Sequence, residues 1–229
     1  PCPVQDRDTG TIWLPFTRNP AGRGEDLVLR GESQRTVWLT WSEDEGRTWG
    51  EAVEITEAVK PPSWTWYATG PGHGIQLQSG RLLIPCDHVV AENYRRDDPH
   101  RSHVIYSDDH GRTWQVGGHL ADGSNECLAV ETADGRLYVN ARNYLGIHSR
   151  LYAWSDDGGQ TLGPTRRDDT LVTPVCQAGL ASLDDGQALF SNPAATERRR
   201  LMVRLSQDGC RTWPHGRVLH EGPAAYSDL

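Results

Sequence analysis

Glu126 and Arg142 are the first residues here whose types and spacing could do chemistry. They bracket the segment ECLAVETADGRLYVNAR, whose ADGR turn would fold two strand-like runs into a hairpin. Both side chains would then reach the same end of adjacent strands. A carboxylate placed there can take up a proton, and a guanidinium fork can bind an anion through two parallel N–H groups. Other groups are ambiguous by type alone. Tyr226, near the C-terminus, reads in isolation as a packing or surface phenol. A phenol is a weak nucleophile at neutral pH unless a base stands beside it. Arg198, Arg199 and Arg200 form a basic run that by itself reads as a solvated face. The five cysteines (Cys2, Cys86, Cys127, Cys176 and Cys210) are widely spread, with no CxxC and no paired Cys/His spacing. They imply no zinc site and no dense disulfide framework, and they fit buried free thiols. No metal or other cofactor is called for.

The elements that must position these groups are announced by a repeat. An octapeptide recurs as SEDEGRTW from Ser42, SDDHGRTW from Ser107, SDDGGQTL from Ser155 and SQDGCRTW from Ser206, with starts 65, 48 and 51 residues apart. Such a period accommodates four short strands and their turns, the mark of a propeller blade. Each copy follows a strand-like run (TVWLTW, HVIYS, RLYAW, LMVRL). Within the octapeptide, Asp can bond nearby backbone N–H groups, Gly permits positive φ, and the Trp is expected to pack between sheets. Further strand-like runs, GRLLIPCDH, GRLYVNARNY and QALFSN, lie between the copies, and helical periodicity is scarce. The reading is all-β, a single propeller-type domain over residues 1–229, with one four-stranded sheet per repeat.

With 23 Lys+Arg against 31 Asp+Glu the net charge is −8, which argues against a nucleic-acid partner bound through phosphates. No apolar run is long enough to span a bilayer, and no signal-peptide pattern opens the chain. Cytoplasmic and secreted locations both stay open.

The octapeptide resembles the Asp box (BNR repeat) of the sialidase, or neuraminidase, superfamily. That resemblance implies a six-bladed β-propeller, represented here by roughly four to five blades. It also implies an exo-α-sialidase that removes terminal sialic acid from sialylated glycans with retention. The anomeric carbon of a sialoside bears a carboxylate that would repel an Asp or Glu nucleophile, and sialidases use a tyrosine instead. GPAAYSDL resembles the family's nucleophile motif and implies Tyr226 as nucleophile. NECLAVETADGRLYVNARNY resembles its Glu-to-Arg stretch and implies Glu126 as base and Arg142 as a carboxylate-binding arginine. A second such arginine falls in TERRRLMVRLS at Arg198, with Arg199 as the alternative, while Arg204 reads as structural. WTWYATGPGHGIQLQSGRLLIPCDH resembles the stretch around the family's GPGHG, so Trp66, Tyr67, His73, Asp87 and His88 are each either pocket or core residues.

Two departures stand against the family pattern. The motif of the first arginine and the aspartate general acid that follows it are not found in this chain. The resemblance therefore implies residues corresponding to an internal stretch, without the first blade and the closing strands, and hydrolysing sialosides weakly if at all on their own. A non-catalytic Asp-box propeller that binds glycans or proteins, a trans-sialidase, and an enzyme acting on a related nonulosonic acid are the competing readings.

Overall fold

A computed structural model describes residues 1–90, 100–183 and 185–229. The strands form four antiparallel sheets taken in chain order. The first contains β1 (Val4–Gln5), β2 (Ile12–Arg18), β3 (Thr36–Ser42) and β4 (Val53–Glu54). The second contains β5 (Trp64–Thr69), β7 (Leu82–Val90), β8 (His100–Ser107) and β9 (Gln115–His119), with β6 (Ile75–Gln76) also paired to β7. In the third stand β10 (Ser124–Glu131), β11 (Leu137–Asn143), β12 (Ser149–Ser155) and β13 (Arg166–Val172). The fourth has β14 (Gly179–Ser182), β15 (Ala188–Pro193), β16 (Arg199–Ser206) and β17 (His215–Pro223). Each sheet is a meander of neighbouring strands, as in a propeller blade. Two short helices, α1 (Glu25–Leu29) and α2 (Thr56–Val59), interrupt the first sheet and its exit.

Three apolar cores lie between successive sheets. Val37, Leu39, Ile84 and Trp114 belong to the first, Leu83, Val104, Val139 and Leu151 to the second, and Val130, Leu180, Phe190 and Trp213 to the third. β7 and β11 are buried along almost their whole length, on both faces, so neither shows the alternation of a half-exposed strand.

The octapeptide closes the turn between the third and fourth strand of every sheet by one scheme. The serine hydroxyl donates to its aspartate over 2.8, 2.8, 2.7 and 2.9 Å in chain order. The serine oxygen accepts the backbone N–H four residues on at 2.8 to 2.9 Å. The other aspartate oxygen takes the threonine hydroxyl at 2.6 to 2.7 Å. The aspartates are therefore consumed by the turn. Cys210 keeps the scheme although it replaces Gly, and adopts φ +64°.

The aromatic at the end of the box behaves less uniformly than expected. Trp114 and Trp213 are buried and Leu162 packs against the second core, each against the preceding sheet. Trp49 is 44% exposed, because within these residues no sheet precedes its own.

The sheets are also tied at the rim, where the turn of one sheet meets the box of the next. His110 Nδ1 lies 2.9 Å from Asp6, Arg81 donates to the carbonyls of Asp157 and Gly158 at 3.1 and 3.0 Å, and Arg211 reaches Asp134 at 2.8 Å. Gly111 shows how close this approach is: at φ +85°, a Cβ there would overlap the Trp13 indole. Gly111→Ala is expected to destabilise the protein by about 2–4 kcal/mol through overlap and left-handed strain, measured as a lowered urea midpoint at unchanged slope.

Candidate active site

Glu126 owes its orientation to an irregularity. The register of β10 against β11 shifts between Ser124 and Cys127, so Asn125 and Glu126 occupy a bulge opposite Arg142. A bulge turns a side chain out of the regular alternation. Here Arg142 Nη1 donates to Glu126 Oε2 at 2.7 Å. From the chain's other end, Tyr226 enters 84 residues after Arg142, and Arg142 Nη1 stands 3.0 Å from its oxygen. The Tyr226 hydroxyl donates in turn to Glu126 Oε1. Arg142 Nη2 reaches the Tyr144 oxygen at 3.0 Å.

The trio stands at a cavity of about 530 Å³. Arg198 lines it as well, its guanidinium carbon 5.7 Å from the Tyr226 ring centre and its Nη2 on the Val175 carbonyl at 3.1 Å. Across from them Trp66, His100 and Tyr144 form an aromatic wall, His100 edge-on to Trp66 at 5.3 Å and stacked on Tyr144 at 5.2 Å. Glu25 accepts the Trp66 indole N–H at 2.5 Å. A concavity of similar volume at the rim, about 550 Å³, contains none of these groups, and two of its three arginines, Arg136 and Arg211, are committed to Asp156 and Asp134.

The electrostatics follow from burial and charge. Burial of Tyr226, then its hydrogen bond to Glu126 and that residue's charge, push the phenol up to about 12 against the pull of Arg142. The group is a neutral phenol at ordinary pH, and its proton has one carboxylate to go to. Among the described residues, Glu126 and Arg142 are nearly enclosed, with side chains 14% and 10% exposed.

Several sequence candidates sit elsewhere. Arg199 opens β16 opposite Pro223 on an exposed face and does not line the cavity. Asp87 is fully buried one layer beneath the cavity, taking the Asn125 amide on Oδ2, with Oδ1 unpartnered. Burial, then the charge of Glu126, raise its carboxyl well above the usual range. His88 follows Asp87 on the same strand, so it faces the other way. It is 1% exposed, stacked on Trp64 at 3.4 Å with its Nδ1 3.0 Å from that of His103, and it does not reach the cavity. Tyr67 is core, and His73 contacts Asp228. Of the five candidates named in the stretch around GPGHG, Trp66 alone lines the cavity, where Ala68, Thr69, Gly70 and Pro71 of the same stretch join it. Tyr144, His100 and Glu25 were missed; alternation from Arg142 in NARNY was the one signal that could have found Tyr144.

The buried imidazoles carry a consequence for stability. Burial, and then neighbouring positive charge, lower His88 and His103 below the ordinary histidine value, and bring His100 down to about 4. A histidine whose folded value is depressed gives stability that is whole above its unfolded value and is lost as pH falls below it. Asp87, raised in the folded state, works in the opposite sense and offsets one proton. Unfolding near pH 5.5 is therefore expected to take up a net one to two protons, roughly. Urea midpoints should fall steadily from about pH 7 to about pH 5, and midpoints independent of pH would contradict this account.

The BNR repeat-like domain family matches residues 1–229. Human sialidase-4 is 39% identical over 202 residues, covering 79% of this chain and 40% of that protein. The sialidase of Micromonospora viridifaciens is 33% identical over 253 residues, covering all of this chain and 37% of its own length. The chain thus spans about two fifths of these curated relatives. Among solved structures, the Hadza microbial sialidase Hz136 superposes with a TM-score of 0.85 at 28% identity over all of this chain and 47% of its own. The intramolecular trans-sialidase of Ruminococcus gnavus shares the fold, with a TM-score of 0.80 at 18% identity over all of this chain and 70% of its own. With its repeats, its four blades and these relatives taken together, the chain belongs to the BNR repeat-like domain family and to the sialidase superfamily.

Proposed function

We propose that this chain carries the nucleophilic half of a retaining exo-α-sialidase acting on sialylated glycans. The observation that carries the reading is the convergence of the Tyr226 hydroxyl, the Glu126 carboxylate and the Arg142 guanidinium on one cavity. A non-catalytic propeller has no need of that convergence. As the phenol oxygen bonds to the anomeric carbon and the glycosidic C–O bond breaks, the phenol proton passes to Glu126 Oε1. Water then attacks the anomeric carbon, Glu126 returns its proton to the departing Tyr226 oxygen, and the water's proton goes to the group that protonated the first leaving oxygen. The proton for the departing oxygen comes from a further acid, since Glu126 is engaged with the phenol. Arg142 and Arg198 hold the substrate carboxylate, a task for which planar guanidinium forks are suited. The neutral phenol is what tolerates that carboxylate so close to the reacting carbon.

The test is hydrolysis by the full-length protein of a fluorogenic α-sialoside beside the matching neutral galactoside, with the first-released anomer followed by NMR. Cleavage of the sialoside alone, with the α-anomer released first, is expected. Binding of sialylated glycans without cleavage would replace the enzyme by a lectin-like propeller.

A further inference from the structure

The segment that carries Tyr226 follows β17 as an extended tail over residues 224–229, and a side chain binds its backbone at Ser227. Gln177, 2% exposed, lies in the connection between β13 and β14. Its Oε1 accepts the Ser227 N–H at 3.0 Å and its Nε2 donates to the Ser227 carbonyl at 2.9 Å, the two bonds a neighbouring strand would make. The second amide proton goes to the Ala178 carbonyl. The Ser227 hydroxyl donates to the Ser191 carbonyl at 3.0 Å and lies 2.8 Å from the Ser191 hydroxyl. Asp228 meets His73 at 3.0 Å. Two glycines leave room for the tail: a Cβ on Gly179 would stand 3.1 Å from the Asp228 Cα, and one on Gly72 would stand 3.6 Å from the Asp228 carboxylate. Behind Gln177, the fully buried Arg150 anchors the connection, donating to the Cys176 carbonyl at 2.8 Å and to Asn140 at 2.7 Å.

We propose that Gln177 is a positioning residue for Tyr226, a side chain that binds both the N–H and the carbonyl of Ser227 and so keeps the phenol oxygen between Glu126 and Arg142. The inference rests on the reading of Tyr226 as the nucleophile. Arg142 stands on a strand of its own, so its hold on a substrate carboxylate does not depend on the tail. Loosening the tail should cost the chemical step and spare binding. A reacting group displaced by about 1 Å loses on the order of a hundredfold in rate.

In the full-length protein, Gln177→Ala is expected to lower kcat on a fluorogenic sialoside about 100-fold, with KM changed less than about threefold and the melting temperature within a few degrees of native. Gln177→Glu supplies a second reading. Ionised, it keeps the acceptor for Ser227 N–H but sets a negative oxygen against the Ser227 carbonyl; protonated, it has the donor again. The ratio of its kcat to the native value should therefore rise as pH falls from about 7 to about 4.5, while His73 and Asp228, which face the tail in both proteins, cancel in the ratio. A Gln177→Ala enzyme with native kcat, or a loss lying wholly in KM, would overturn the proposal. If the alanine variant does not fold, the glutamate ratio decides, and a flat ratio overturns it. An inactive Tyr226→Phe enzyme beside native Gln177 variants sinks the clamp alone, whereas an active Tyr226→Phe enzyme sinks the nucleophile reading and the clamp with it.

Discussion

Tyr226→Phe is expected to reduce kcat/KM on a sialoside by about three orders of magnitude or more in the full-length protein, with melting temperature and KM near native. The substitution removes one oxygen from a residue that is 48% exposed and leaves the ring where it stands beside Arg198. Glu126 keeps its bond to Arg142, so no charge is left unpaired. On the proposed mechanism, what disappears is the atom that bonds to the anomeric carbon and the proton that Glu126 receives. A general structural role for the phenol would predict instead a loss of stability with modest loss of rate.

Arg142→Lys should have the second largest effect. The native guanidinium serves Glu126 and Tyr226 through Nη1 and Tyr144 through Nη2, and it is 8% exposed. A lysine ammonium is a single point with no fork, so it can serve the Glu126 side or the Tyr144 side but not a substrate carboxylate as well. Kinetic assays should show kcat/KM lower by roughly 10²- to 10³-fold, with KM rising, because a truncated buried charge pair typically costs that much. A lysine variant with native KM would remove Arg142 from substrate binding.

What could be read from the sequence divides by the range of the interactions. The turns were legible because every bond in them spans two to four residues, from the Ser42 hydroxyl to Asp44 and Gly46 and likewise in the other copies. Glu126 and Arg142 were singled out by the likeness of NECLAVETADGRLYVNARNY to a known stretch, and their closeness was legible because the ADGR hairpin joins them locally. The bulge that aims Glu126 was not, since nothing in NECLAV distinguishes a bulge from a regular strand. Tyr226 lies 100 residues from Glu126, and only the likeness of AYSDL to a known motif pointed to it. Gln177 and His100 had no signal at all, because their roles come from which sheets meet. Asp87 and His88 were read together although consecutive strand residues face opposite ways, and strand parity separates them. The exposure of Trp49 shows the same dependence on the neighbouring sheet, with Trp114 as the buried counterpart.

The measurement closest to the central claim is peptide mapping by mass spectrometry after the full-length protein has been treated with a fluorinated sialosyl fluoride, which slows breakdown of a covalent sugar–enzyme bond. The account predicts a sugar adduct on the Tyr226 phenol oxygen, absent from Tyr226→Phe and much slower to form in an Arg142→Lys enzyme. A stable adduct on Glu126 or another carboxylate, or turnover of the sialoside with no adduct on Tyr226, would contradict it.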